Sequence, residues 1–66
     1  MNILTTREKE IFNLLIQNKS TKEISILLHI SEKTTRNHIS NVIQKLGVKS
    51  RTQALVELIK LKCIKI

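Results

Sequence analysis

At 66 residues with one cysteine, the chain is a single small domain without an internal disulfide, and it has no room to enclose an active site. Its hydrophobic content of 41% includes only 2% aromatic residues, the single Phe12, so the core is aliphatic. Twelve Lys and Arg against five Asp and Glu give a net charge of +7, the footprint of a polyanion partner, although ~2 to 8 charges are also ordinary for a small soluble domain.

The opening MNILTTREKE carries neither the apolar core nor the cleavage site of a signal peptide, and no apolar run approaches the ~20 residues that cross a bilayer. The expectation is a cytoplasmic, cofactor-free protein. A first helix over 6–16 is announced by Thr5 with Glu8 three residues on, the reciprocal capping box that satisfies two orphan backbone donors. Ile11, Phe12, Leu14, Leu15 and Ile16 supply its apolar side. A second capping box, Ser20 with Glu23, starts a helix over 21–28, with Ile24 and Leu28 at helical spacing. Only His29 and Ile30 separate it from the next cap, Ser31, so the two helices read as a helix-turn-helix. His29 takes a place where such turns often hold glycine. With one cysteine, one other distant histidine and no acidic cluster near it, it reads as a turn residue and not a metal ligand.

The third helix, over 32–46, is the longest and ends at Gly47, the only glycine. At 100° per residue Thr35, Ile39, Val42 and Leu46 form one narrow stripe, the packed side. Opposite lie Lys33, Asn37, Ser40 and Gln44, flanked by Arg36 on one side and by Thr34, His38, Asn41 and Lys45 on the other. A merely solvated helix is usually dressed in Glu and Lys at four-residue spacing. This face has Glu32 as its one acid and several Asn, Ser and Thr, which are poor helix formers. Arg and Asn carry the forked donors and acceptors that match guanine and adenine edges in the major groove, and Lys, Thr and Ser suit phosphate oxygens. From Ser31 to Arg51 five basic residues stand against one acid. His38 is read equally as a phosphate contact or as a half-covered boundary residue.

A third hydroxyl–amide pair, Ser50 with Gln53, starts a fourth helix over 51–62. It carries two apolar stripes. Ala54, Leu58 and Leu61 close the core, and Val56, Ile59 and Cys63 are left over for a symmetric pairing of two chains. The basic, amphipathic run LVELIKLKCIKI is an alternative membrane-surface segment, disfavoured by its lack of tryptophan and its length of about three turns. The fold class is therefore all-α, four helices in one domain over 1–66, and nothing in it supplies a nucleophile with its base, a metal cluster or a phosphate loop.

The segments LTTREKEIFNLL, KEIS and EKTTRNHISNVIQKLGVKSR, in this order and spacing, resemble the LuxR-type helix-turn-helix that ends many bacterial transcription regulators, and the likeness covers nearly the whole chain. Within that family the chain is similar to a small stand-alone regulator of late sporulation genes, so the expectation is a transcription regulator without receiver or small-molecule ligand domain. The resemblance implies that helix three enters the major groove of double-stranded DNA and that helix four mediates a two-fold homodimer. On matching positions it makes Arg36, Asn37 and Ser40 base readers and Lys33, Thr34, Asn41 and Lys45 backbone contacts. Lys22, Lys49 and Arg51 add phosphate contacts, and Val56, Ile59 and Cys63 form the dimer seam. Thr35 and Ser25 depart from the family's valine and alanine at positions expected to be buried, where their hydroxyls can bond back to the previous turn. Ile26 and Leu27 stand at positions usually polar; they read as a satellite core contact or as a surface for RNA polymerase. The rival function is a DNA-independent interaction module that titrates a related regulator or the polymerase.

Overall fold

The computed structural model describes residues 3–64 and contains four helices, α1 (Thr6–Ile16), α2 (Thr21–Leu28), α3 (Glu32–Leu46) and α4 (Arg51–Lys60). Each start is fixed by a hydroxyl. The Thr5 hydroxyl accepts from the Glu8 amide at 3.2 Å while the Glu8 carboxylate accepts from the Thr5 amide at 2.9 Å. Ser20 and Glu23 repeat the exchange at 3.1 and 2.9 Å. Ser31 caps α3 alone, taking the Thr34 amide at 3.0 Å. The fourth start differs from the expected box: Ser50 accepts from the Gln53 amide, but the Gln53 side chain takes the Lys49 amide at 2.8 Å, one residue before the cap.

All four helices end by one device, a left-handed residue whose successor bonds back to the carbonyl five residues earlier. Asn18, His29, Gly47 and Lys62 have φ of 67°, 56°, 68° and 59°. The closing amides are Lys19 to Leu14, Ile30 to Ser25, Val48 to Ile43 and Cys63 to Leu58. Only one of the four is the glycine that adopts this conformation without steric cost. His29 is thus the turn residue the sequence suggested.

Helix α3 packs against α1, α2 and α4 and is the element the others share. Its stripe of Thr35, Ile39 and Val42 is buried against Ile11, Phe12, Leu15, Ile24, Ala54 and Leu58, with Leu46 half-buried at the edge. The two polar substitutes in the core are satisfied locally. The Thr35 hydroxyl donates to the Ser31 carbonyl at 3.0 Å and the Ser25 hydroxyl to the Lys22 carbonyl at 2.7 Å. A buried hydroxyl with such a partner escapes most of the desolvation penalty of an unpaired one.

The C-terminal end corrects the sequence reading in two ways. Helix α4 stops at Lys60 and not at 62, because Lys62 turns left-handed and the Cys63 amide closes onto Leu58. That reversal carries Ile64 into the core at 3% exposure and leaves Leu61, expected inside, half-exposed. No helix among the described residues is long and apolar enough to cross a membrane.

Candidate nucleic-acid interface

The outward side of α3 follows from its inward side. With Thr35, Ile39 and Val42 fixed in the core, Lys33, Thr34, Arg36, Asn37, Ser40, Asn41 and Gln44 are all exposed, and no aliphatic residue stands among them. Ser31 sets where the helix begins, and so sets which side chains sit in the first two turns. His38 is half-buried, the boundary position that was one of its two readings. Lys22 is exposed in the first turn of α2, and Lys49 and Arg51 are exposed at the start of α4, so cations flank α3 on both neighbouring elements.

Three side chains of this face are engaged within the fold, the first being Thr34, whose hydroxyl accepts from the Ser31 hydroxyl at 2.9 Å. The Arg36 Nη1 donates to Glu32 Oε2 at 3.2 Å, an i,i+4 pair on the exposed side of α3. Lys45 gives its ammonium to the carboxylate of Glu8, with a long 3.4 Å contact to the Ile3 carbonyl. Lys45, expected on the phosphate-contacting flank, is therefore first a partner of α1. The physical reason is that Glu8 is only 3% exposed and an ionised carboxylate there requires a cation. Burial opposes ionisation of Glu8, but the Lys45 hydrogen bond, the Thr5 amide and the Lys45 charge outweigh it and hold the carboxyl below its ordinary value. Glu23, fully exposed, is also held low, chiefly by the Ser20 amide.

The sequence reading missed the Glu8–Lys45 pair. One half was legible: Glu8 stands three and four residues before Ile11 and Phe12, so it lies on the buried side of α1. Its partner, 37 residues away, was not.

On α4 the proposed seam is only partly open. Val56 is 46% exposed, whereas Ile59 and Cys63 are half-buried and rest on the core. Val56 lines an open depression of roughly 530 Å³ with Val48, Lys49, Thr52 and Lys60. On α2, Ile26 and Leu27 are 64% and 54% exposed, so neither is a satellite of the core.

The sequence model of the bacterial regulatory proteins of the luxR family matches residues 2–58. The spore germination protein GerE of Bacillus subtilis (strain 168) is 64% identical over 59 residues, which cover 89% of this chain and 80% of that protein. The transcriptional regulatory protein DegU of Brevibacillus brevis is 47% identical over 66 residues, 100% of this chain but only 28% of DegU. The solved structure of the transcription factor GerE superposes with a TM-score of 0.96 at 60% identity, covering 98% of this chain and 97% of that one.

Proposed function

The chain belongs to the luxR family of bacterial regulatory proteins, and from that premise we propose that it reads a specific DNA sequence with α3 as a homodimer and regulates late sporulation genes. The coarser statement is plain: it is a helix-turn-helix DNA-binding transcription regulator similar to GerE. The finer reading rests on the outward face of α3, which carries exposed Lys, Arg, Asn, Ser and Thr over a stripe buried in the core.

In this reading the N-terminal half of α3 lies in the major groove with Arg36, Asn37 and Ser40 against base edges. Lys33, Thr34, Asn41, Lys22, Lys49 and Arg51 hold phosphates. Lys45 joins them only through donors left over from Glu8. Pairing of α4 through Val56, with Ile59 and Cys63 beneath it, presents two reading helices to half-sites about one DNA turn apart. The sporulation assignment rests on the likeness to the spore germination protein GerE.

The test is selection from a randomised duplex pool at about 0.15 M salt, where weak surface attraction is partly screened. An enriched motif repeated or inverted at fixed spacing is expected. Retention without enrichment makes α3 a general phosphate binder and removes the sequence-reading function.

The exposed Ile26 and Leu27 favour a second contact besides DNA, and RNA polymerase is the partner class that suits a transcription regulator. A Leu27→Lys variant that binds the operator as before but loses regulation in a purified transcription assay supports that contact. Unchanged regulation removes it.

A further inference from the structure

One acid stands on the proposed reading face, and it is in contact with a proposed base reader. Glu32 occupies the first position of α3, and its Oε2 accepts from Arg36 Nη1 at 3.2 Å, with the two side chains 43% and 57% exposed. A carboxylate in the first helical turn is favoured by the helix dipole, and an exposed i,i+4 pair adds little to stability. Neither effect requires that the acid be aimed at Arg36. Against a polyanion, moreover, a carboxylate at this place lowers affinity for every sequence.

The guanidinium explains what such a contact can do. It has five N–H donors in a fixed plane. The bond to Glu32 uses one donor of Nη1 and leaves the Nε–Nη2 edge, two parallel donors, free to meet O6 and N7 of a guanine. It also restricts a long side chain whose rotamer freedom would otherwise be lost on binding. The charge weakens binding to all DNA alike, whereas the orientation favours one base, so it is the orientation that raises the ratio of specific to nonspecific binding.

We propose that Glu32 is a positioning residue for base recognition: it holds Arg36 by Nη1 so that the Nε–Nη2 edge reads guanine, and it keeps this contact in the DNA complex. This inference rests on the reading of Arg36 as a base contact.

The experiment repeats the duplex selection with the wild-type chain, Glu32→Ala, Glu32→Gln, Arg36→Ala and the Glu32→Ala/Arg36→Ala double variant, and measures affinity for the selected site and for a scrambled duplex across salt. Arg36→Ala identifies the guanine position it reads. At that position Glu32→Ala is expected to lower the guanine preference by about fivefold or more while tightening binding to the scrambled duplex. In the Arg36→Ala background, Glu32→Ala is expected to have no further effect on preference there, the signature of two residues acting as one. Glu32→Gln keeps an acceptor without the charge, so it retains most of the preference while binding the scrambled duplex more tightly. Full guanine preference in Glu32→Ala overturns the proposal and makes Glu32 an acid of the first helical turn only, with the base-reading role of Arg36 intact. If Arg36→Ala relaxes no position, the base-reading assignment itself has failed and the proposal falls with it.

Discussion

Lys45, in the last turn of α3, closes onto the buried carboxylate of Glu8 in the first turn of α1. The pair fastens the end of the proposed reading helix to the start of the chain's first helix. It also makes a lysine that looks like a DNA contact part of the scaffold.

Lys45→Ala is therefore expected to reduce stability before it affects DNA. Removing one partner of a buried pair leaves an uncompensated charge, but the Lys45 side chain is 38% exposed and water moderates the loss. A destabilisation of about 1–2 kcal/mol in urea is expected, below the ~3–5 kcal/mol of a fully buried pair. Glu8→Gln combined with Lys45→Met should recover most of it. A Lys45→Ala midpoint equal to wild type would show that the pair contributes nothing.

Acid should act through the same carboxylate. The Glu8 carboxyl is lowered in the folded chain, so the unfolded chain binds its proton first as pH falls. Its stabilising contribution is complete above the ordinary carboxylate range and is lost as pH drops through the lower folded value. Stability curves measured downward from neutral pH should be flatter for Glu8→Gln than for wild type, and curves of equal slope would remove Glu8 from the acid transition.

His29 closes α2 with φ of 56°, a conformation that costs a residue with a Cβ ~1–2 kcal/mol. Glycine removes that cost but gives up ~0.5–1 kcal/mol of unfolded-chain entropy. His29→Gly should stabilise by about 0.5–1 kcal/mol in urea. Loss of stability would mean that the imidazole makes a contribution of its own at this turn.

Among the phosphate candidates, Lys33 is exposed on α3 itself. Lys33→Ala should weaken the selected and scrambled duplexes alike and flatten the slope of log affinity against log salt by ~0.9. Asn37→Ala should instead cost ~1–3 kcal/mol at one base position and leave the slope nearly unchanged. The opposite pattern would exchange the two roles.

The dimer seam is best tested at Val56, because Ile59 and Cys63 rest on the core and a charge at either would also strain the fold. Val56→Glu should leave the urea midpoint of dilute protein near wild type and weaken a two-half-site duplex more than a single half-site. Equal weakening of both duplexes would count against recognition by pairs.

What the sequence by itself determined is what neighbours within four residues decide. Thr5, Ser20, Ser31 and Ser50 each bond to an amide three residues on, so all four helix starts were legible. The period of Thr35, Ile39 and Val42 likewise divides α3 into a packed side and a polar one without reference to any partner. The tertiary structure decided the rest, because burial depends on what lies opposite. Leu61, expected in the core, gives up that place and Ile64 enters the core beyond one left-handed residue, Lys62, whose conformation no apolar pattern records. Ile59 and Cys63 look like a free stripe on a helical wheel but find the core beneath them. Lys45 reads as a surface cation until α1 brings Glu8 within reach, and that meeting of residues 37 apart exists only once the helices have packed.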